Sequence, residues 1–445
     1  MKILASLLFF ILPLHAFLVT VLKCKYGIDT NILRFWKEIL LSVMGIVILY
    51  RVYRSGSSLR KLYQRNTLLG LISIFIACCI LYIYLPFFEL KAASVLGFRY
   101  DAFFFIAMIV GLYSGLIWEL RPLLKTLFLS TFGILIIFLP WYLFWDISSL
   151  AIKFGYSAEV STYTANSCIS FAQNVDGEHR FQGTFGGPIR FSVFLTIVGS
   201  LFMGWLLSSS RFTQAQQYLL AGWFMALILP STFFSYSKTS ILWVLFAAGI
   251  FVLLSYKYIH RKKITRKFYA YTGWALLTPI VLVALLKWEL FLHLWAVINR
   301  LENLWKSVEM FFYNPFWYGL GIAGPASQIW NSIESAGSWQ VATATVLRVH
   351  RFLPENWYVQ IALEMGILWI SLFMSLIFLI GYRLIALIKA KRDYLSVGIA
   401  TAYFALCFMA LFTHAFEEAA TSYILFMIIG IVLAESMKIE QTEKK

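Results

Sequence analysis

Residues 67–86 read TLLGLISIFIACCILYIYLP, twenty residues in a row without a charged side chain. The hydrocarbon core of a bilayer is about 30 Å thick, and a helix needs about 20 apolar residues to cross it. A helix that is apolar on every face is buried in a large core or in a membrane. The stretch therefore predicts a transmembrane helix, and runs like it recur along the chain.

The composition agrees with many such helices. Of the 445 residues, 61% are hydrophobic and 13% are charged, and the mean hydropathy is +0.78. A soluble fold with so little charge would expose apolar surface on every side. We predict an all-α polytopic membrane protein in which residues 1–445 form a single integral membrane domain. About twelve transmembrane helices are predicted, at residues 3–22, 36–50, 67–86, 102–120, 126–145, 188–208, 216–234, 239–256, 269–288, 357–382, 394–413 and 419–436.

The basic residues are distributed unevenly, and this sets the predicted orientation. The chain has a net charge of +16, and its Lys and Arg residues concentrate in alternate connections, most densely at 51–65 and 257–267. Cytoplasmic connections of membrane proteins are enriched in Lys and Arg, so both termini are predicted to be cytoplasmic. Topology and contact with anionic membrane lipid account for the positive charge, so no nucleic-acid partner is predicted.

The cysteines predict neither a metal site nor a disulfide framework. None of the five cysteines has the CxxC or CxxxH spacing that is typical of structural metal sites. Only Cys24 and Cys168 fall in segments predicted to lie outside, so the sequence is compatible with one disulfide. No metal and no other cofactor is predicted.

Two long connections lie on the predicted outer side, at residues 147–187 and 289–356. Long connections in a compact protein are usually functional or disordered. The second begins with apolar residues at helical spacing, namely Leu294, Val297, Ile298, Leu301, Leu304, Trp305, Val308 and Phe312. Charged residues take the opposite face, where Glu302 and Lys306 have the favourable i,i+4 order. We predict an amphipathic helix that either covers a cavity or packs at the membrane interface.

Cations collect at the predicted outer ends of the helices, namely Arg180, Arg190, Lys238, Arg300 and Arg351. Charge in or near a membrane is costly and marks functional sites, and several cations together suit an anionic substrate such as a diphosphate. Arg binds phosphate through two parallel N–H donors, and helix N-termini add backbone donors. Taken singly, each cation is equally compatible with snorkelling to lipid head groups or with capping a helix end.

Three further groups of residues stand out on the same side. His350, Glu355 and Asn356 precede a predicted helix. His414, Glu417 and Glu418 have a spacing that is compatible with a metal, although a polar cap on a hairpin is the favoured interpretation. The stretch GLGIAG at 319–324 matches a dinucleotide-binding motif but lacks the strand that should precede it. It predicts a tight turn instead.

The order of these motifs resembles that of the O-antigen ligase and polymerase superfamily over about residues 180–375. The motifs are Arg180-Phe-x-Gly-Thr-Phe-x-x-Pro188, Ser237-Lys-Thr-Ser240, Arg300-Leu with Asn314-Pro-x-x-x-Gly319-x-Gly321, and Glu355-Asn-Trp-Tyr-x-Gln360-x-x-x-Glu364-x-Gly366. The resemblance implies a GT-C-like bundle in a bacterial inner membrane, with a large periplasmic loop between spans nine and ten. It also implies transfer of a glycan from undecaprenyl diphosphate to an acceptor hydroxyl of a growing polysaccharide or of lipid A-core. That step would be periplasmic, inverting and metal-independent.

The resemblance also implies roles for the residues. Arg180, Arg190, Lys238 and Arg300, together with Arg351 and Asn356, would bind the diphosphate or the rest of the substrate. His350 or Glu355 would act as the base or orient the hydroxyl. Many members of the family have Ser-Arg where this chain has Ser237-Lys238, and the ligase branch often has His where this chain has Glu355. The second difference favours a polymerase or another branch over a ligase.

Two other classes of protein remain as alternatives. A twelve-span transporter or a flippase for lipid-linked oligosaccharides predicts pseudo-symmetric halves and charged residues near the bilayer midplane. A structural scaffold in the membrane predicts that the outer cations are dispensable.

Overall fold

A computed structural model describes most of the chain as α-helix. The described residues are 2–28, 31–54, 67–84, 91–115, 118–144, 152–156, 174–175, 178–235, 237–260, 294–313, 315–316, 319–321, 323 and 356–443. The main helices are α1 Lys2–Lys25, α2 Trp36–Arg54, α3 Thr67–Tyr84, α4 Lys91–Gly115, α5 Leu120–Phe144, α6 Pro188–Leu207, α7 Gln214–Phe233, α8 Lys238–Leu254, α9 Leu294–Tyr313, α10 Trp357–Met365, α11 Ile367–Lys391, α12 Tyr394–Met409 and α13 Ala419–Glu443. Helix α1 contains a 3-10 turn at Leu12–Leu14 and a π-helical turn at Val21–Lys25.

Seven of the described helices are long and apolar enough to cross a membrane. They are Lys2–Lys25, Thr67–Tyr84, Ser94–Gly115, Leu120–Phe144, Pro188–Leu207, Thr239–Ile259 and Ile367–Lys391. Helices α12 and α13 carry shorter apolar stretches, at Tyr394–Met409 and Ala419–Glu435. The prediction of many apolar membrane helices is confirmed in this coarser form. Eleven of the twelve predicted spans coincide with helices, and the remaining one, residues 269–288, lies outside the described residues.

Two predicted helix boundaries are wrong. The apolar run at 357–382 is two helices, α10 and α11, because the chain turns at Gly366 with a φ of 80°. There the Ile367 N–H donates to the Pro315 carbonyl at 2.8 Å. Helix α4 begins at Lys91 rather than near residue 102, since Arg99 and Asp101 lie inside the helix and are paired with other helices. A boundary drawn from hydropathy falls after these charged residues. The charged side chains can lie inside α4 because they contact side chains of other helices.

The first long connection contains the only strands among the described residues. Strands β1 Asn174–Val175 and β2 Glu178–His179 pair antiparallel, with Val175 opposite Glu178. The segment that follows reaches the N-terminus of α6.

Close helix pairs form the core of the bundle. Helix α4 packs along α13 so tightly that a Cβ atom on Gly111 would lie 2.1 Å from the Met427 carbonyl oxygen. A Cβ on Gly430 would lie equally close to the Met108 carbonyl oxygen, at 2.1 Å. Helices α6 and α12 make a similar contact, because a Cβ on Gly204 would lie 2.8 Å from Gly398 Cα. Small residues allow helix backbones to approach in this way within a membrane.

The bundle has two ends, which we name by one residue at each. At the Arg190 end, the Phe181 N–H donates to the Phe234 carbonyl at 2.8 Å, and the Trp357 N–H donates to the Ala410 carbonyl at 2.9 Å. These bonds join the starts of α6 and α10 to the ends of α7 and α12. At the Lys391 end, Lys391 contacts Glu435 at 2.6 Å. The Arg190 end is the one that the distribution of basic residues predicts to face outward.

The contact between α4 and α13 is expected to be intolerant of a methyl group. We expect Gly430→Ala to destabilise the protein by about 1–3 kcal/mol, the usual cost of overpacking. Gly133→Ala in α5 is the matched control, because a Cβ there meets nothing within 4 Å, and it should leave stability unchanged or raise it. Thermal unfolding in detergent measures both, and equal effects of the two substitutions would contradict this packing.

Candidate functional site

Arg190 lies in the first turn of α6, and the preceding segment is anchored to fix its position. Pro188 begins the helix after Gly187, and Phe181 and Phe185 are buried side chains of the preceding turn. The Thr184 hydroxyl donates to a carbonyl of α1, that of Pro13, at 2.7 Å. The Arg190 side chain is 53% exposed, and its Nε lies 3.7 Å from Glu418 Oε2. A half-exposed guanidinium therefore stands beside the backbone donors of a helix N-terminus, where anions bind.

Arg180 and the backbone of Lys238 both lie at the turn between α7 and α8. The Arg180 Nε donates to the Ser235 carbonyl at 2.8 Å. Lys238 is the first residue of α8, and Ser237 precedes it at the N-cap position. The structure thus brings two of the predicted cations to one turn at the Arg190 end.

A hydrogen-bonded chain borders Arg190, and we call it the His414 cluster (Gln360, His414, Glu417 and Glu418). The Gln360 side-chain amide donates to Glu417 Oε1 at 2.9 Å. His414 Nδ1 lies 2.8 Å from Gln360 Oε1 and 3.6 Å from Glu417 Oε1. The hairpin before α13 and the start of α10 therefore form one site. Among the described residues, no group of three or more His, Cys, Asp or Glu has a geometry that would hold a metal.

Burial perturbs two groups of the His414 cluster in opposite directions. Burial, followed by the positive charge of Arg190, lowers the pKa of His414 from 6.5 to about 4. Burial raises the pKa of Glu417 well above its usual range, and the hydrogen bond from Gln360 opposes this. His414 is therefore a neutral imidazole at neutral pH.

A second group of charges lies beside the first, and we call it the Glu38 cluster (His15, Trp36, Lys37, Glu38, Arg99 and Tyr423). The Arg99 guanidinium pairs with Glu38 Oε1, which also accepts from the Tyr423 hydroxyl at 3.3 Å. Arg99 stacks over the Phe35 ring at 5.0 Å from its centroid. Glu418 acts electrostatically on Lys37, so the Glu38 and His414 clusters are adjacent. Together they tie α2, α4, α6, α10 and α13 at one end of the bundle.

Lys37 contacts groups on three sides. Its Nζ lies 3.1 Å from His15 Nε2, 2.9 Å from the Arg34 carbonyl and 3.5 Å from Glu38 Oε1. Trp36 Nε1, which is only a donor, lies 2.9 Å from the other ring nitrogen of His15. The Lys37 side chain is only 1% exposed, and the Glu38 carboxylate is shared between Lys37 and Arg99.

Two fully buried carboxyl groups hold the glycine-rich turn against the bundle. The carboxyl groups of Asp101 on α4 and Glu364 on α10 lie close to each other, and neither is exposed. Glu364 Oε1 accepts from the Ala323 N–H at 3.2 Å, and the Glu364 carbonyl accepts from the Gly319 N–H at 3.0 Å. Gly321, with a φ of 79°, passes so close to α4 that a Cβ on Gly97 would lie 2.4 Å from its nitrogen. The predicted tight turn at 319–324 is thus present at its described positions, and close approach to a helix explains its glycines.

The remaining predicted site residues divide into two sets. Arg300 lies on α9, the predicted amphipathic helix, where Lys306 and Glu302 form the expected ion pair at 2.7 Å. Asn356 caps α10, since its Oδ1 accepts from the N–H groups of Tyr358 and Val359 at 3.0 and 3.1 Å. His350, Arg351 and Glu355 lie outside the described residues.

Sequence reasoning missed the Glu38 cluster and the pairing of Asp101 with Glu364. A signal was present, because a charged residue inside an otherwise apolar helix is a functional candidate by default. Lys37, Glu38, Arg99 and Asp101 all carry that signal. The predicted boundary at residue 102 left Arg99 and Asp101 outside their helix, whereas Lys37 and Glu38 lie inside the span predicted at 36–50 and were not singled out.

No known protein-family model matches this sequence, and no curated protein matches it either. The fold and the site define its class: a mainly α-helical protein with several helices fit to span a membrane, and with a charged network at one end of the bundle.

The lowered pKa of His414 predicts a dependence of stability on pH. The unfolded chain takes up a proton at this residue near pH 6.5, whereas the folded protein does so only near pH 4. The contribution of His414 is therefore complete above pH 6.5 and is lost as the pH falls towards 4. We expect the melting temperature of the unsubstituted protein to fall more than that of His414→Asn between pH 7 and pH 5. Parallel curves for the two proteins would contradict the shift.

Proposed function

We propose that this chain is a membrane glycosyltransferase of the O-antigen ligase or polymerase type. It transfers a glycan from undecaprenyl diphosphate to an acceptor hydroxyl. The observation that carries the proposal is the half-exposed Arg190 at the N-terminus of α6, bordered by the His414 cluster. This arrangement offers a cation and backbone donors for a leaving diphosphate, with proton-accepting groups alongside.

The chemistry of the reaction needs these two kinds of group together. When the bond between the sugar and the diphosphate breaks, negative charge develops on the leaving oxygen, and donors fixed in advance stabilise it. Arg190 and the N-terminus of α6 supply such donors, and Arg180 lies at the same end of the bundle. Lys238 and Arg300, placed by their backbones at the starts of α8 and within α9, are further candidates for the diphosphate.

The lipid part of such a substrate has space close to Arg180. A cavity of about 440 Å³ lies between α7 and α8 at the Arg190 end, and its lining includes Pro230, Phe233 and Phe234. The lining is almost wholly apolar, and the turn that follows it holds the Ser235 carbonyl to which Arg180 is bonded. A polyprenyl chain in the cavity would thus have its charged end near a cation.

Two observations support an outward-facing Arg190 end. The basic connections concentrate at the opposite end, as expected for the cytoplasmic side. Cys24, at the end of α1, is disulfide-bonded, whereas Cys78, Cys79 and Cys407 are free thiols. Disulfides persist in oxidising compartments such as the periplasm. We therefore place the site on the periplasmic face of a bacterial inner membrane, with both termini in the cytoplasm.

A transporter or a lipid-linked oligosaccharide flippase is the second candidate, and one observation favours it. Asp101 and Glu364 are fully buried carboxyl groups between helices, and buried carboxyl groups of this kind carry protons in many transporters. The glycine-rich turn gives them another role, because Glu364 binds the Ala323 N–H. That structural role makes the glycosyltransferase the better-supported proposal.

The proposal predicts transfer that depends on Arg190. Purified protein in liposomes receives undecaprenyl diphosphate-linked glycans extracted from the native host, with and without lipid A-core. We expect Arg190→Gln to lower transfer by roughly 100-fold, the usual loss for one donor to a developing negative charge. Arg211→Gln is the matched control, because Arg211 is an exposed cation at the Lys391 end, and it should retain activity.

The products separate the candidate functions. Longer lipid-linked chains formed without lipid A-core indicate a polymerase, and a product that requires lipid A-core indicates a ligase. Movement of the lipid-linked glycan between leaflets without any new glycosidic bond would support the flippase and overturn the glycosyltransferase.

A further inference from the structure

Helix α9 carries two large aromatic side chains on a side that the bundle does not cover. Trp305 is 70% exposed and Phe312 is 74% exposed. They are seven residues apart, which is close to two full turns, so both lie on one side of the helix. Ser307 is fully buried and marks the side of α9 that faces protein. At about 100° per residue, the two aromatic side chains lie roughly 150° around the helix from Ser307.

Charged residues occupy a third side of α9. Glu302 and Lys306 are exposed and form an ion pair at 2.7 Å. They lie roughly 100–140° from Ser307, in the direction opposite to the two aromatic side chains. Tyr313, which is 83% exposed, lies on the same side as this ion pair. The helix therefore has a protein-facing side, an aromatic side and a charged side.

The end of α9 is fixed against the start of a membrane helix. The Pro315 carbonyl, two residues after α9, accepts from the Ile367 N–H at 2.8 Å. Ile367 is the first residue of α11, which is long and apolar enough to cross a membrane. The side chains of Ile367 and Leu368 are both exposed, as expected where a helix meets lipid. Helix α9 thus ends at the level where the apolar outer surface of α11 begins.

The residue types on the aromatic side suit the surface of a bilayer. Trp and Tyr are enriched where a membrane meets water. An amphipathic helix can lie in that layer, with its apolar side buried by about 5–10 Å and its charged side in water. A helix that covered a cavity of the bundle would instead turn its apolar side to the protein, and in α9 that side holds Ser307.

We propose that α9 lies along the membrane surface beside the first turn of α11 and inserts Trp305 and Phe312 among the phospholipids. The Glu302–Lys306 pair then faces water. This pair has no net charge, so the attachment depends on apolar contact and not on anionic lipid. The inference goes beyond the proposed function, since it holds equally for a glycosyltransferase and for a transporter.

Two reagents test the proposal on the unsubstituted full-length protein in phosphatidylcholine nanodiscs. Hydroxyl radicals generated in the water modify side chains that water reaches, and a phospholipid that carries a diazirine modifies side chains that touch lipid. Mass spectrometry measures the rate of modification at Trp305, Phe312 and Tyr313, each relative to its rate in the unfolded chain. Tyr313 is the internal control, because its exposure is similar but it lies on the charged side.

We expect hydroxyl radicals to modify Trp305 and Phe312 several-fold more slowly than Tyr313, and the lipid probe to label Trp305 and Phe312 but not Tyr313. Equal oxidation of all three residues without lipid labelling would show that α9 stands in water, which overturns the proposal. Protection of Trp305 and Phe312 from both reagents would overturn it too, because protein, from this chain or from a second copy, would then cover the aromatic side. Neither readout depends on activity, so a failure of the proposed function is detected separately.

Discussion

The fold depends on pairing charges that the membrane would otherwise exclude. Glu38 is the centre of this pairing, since one oxygen contacts Arg99 on α4, Lys37 on α2 and the Tyr423 hydroxyl on α13. A buried charge without a partner costs several kcal/mol, so these three helices are constrained to meet at this point. Their meeting places the start of α13, and with it Glu417 and Glu418, beside Arg190 of α6. The glycines at the contact between α4 and α13 then allow the two helices to pack closely along the rest of their length.

The parts of the fold that sequence could predict are those decided locally. The uncharged run at 67–86 is helix α3, and the apolar periodicity after residue 294 is helix α9 with its Glu302–Lys306 pair. The break at Gly366 was missed because it depends on the chain at Pro315 docking against it. The pairing of Glu38 with Arg99 joins residues 61 positions apart, and no local pattern specifies such a contact. The sequence singles out Arg190 as a cation at the start of a helix. Its partner Glu418 comes from the other end of the sequence, so no local pattern predicts that contact.

The site combines a proton acceptor and a cation through contacts of different kinds. Gln360 and Glu417 set His414 by directional hydrogen bonds, whereas Arg190 acts on it through charge. The same end of the bundle holds the apolar cavity between α7 and α8 and the disulfide-bonded Cys24. A glycosyltransferase that uses a lipid diphosphate accounts for the cation, the acceptor, the cavity and the disulfide together. A transporter accounts best for the buried carboxyl pair alone.

The most direct measurement is an electron cryomicroscopy structure of the protein in nanodiscs with undecaprenyl diphosphate bound. The account predicts density for the diphosphate in contact with the Arg190 guanidinium, and the leaving oxygen on the side of His414. It also predicts density for the polyprenyl chain passing the Arg180 turn towards α7 and α8. Diphosphate density at the Lys391 end, or along a central passage away from Arg190, would contradict it.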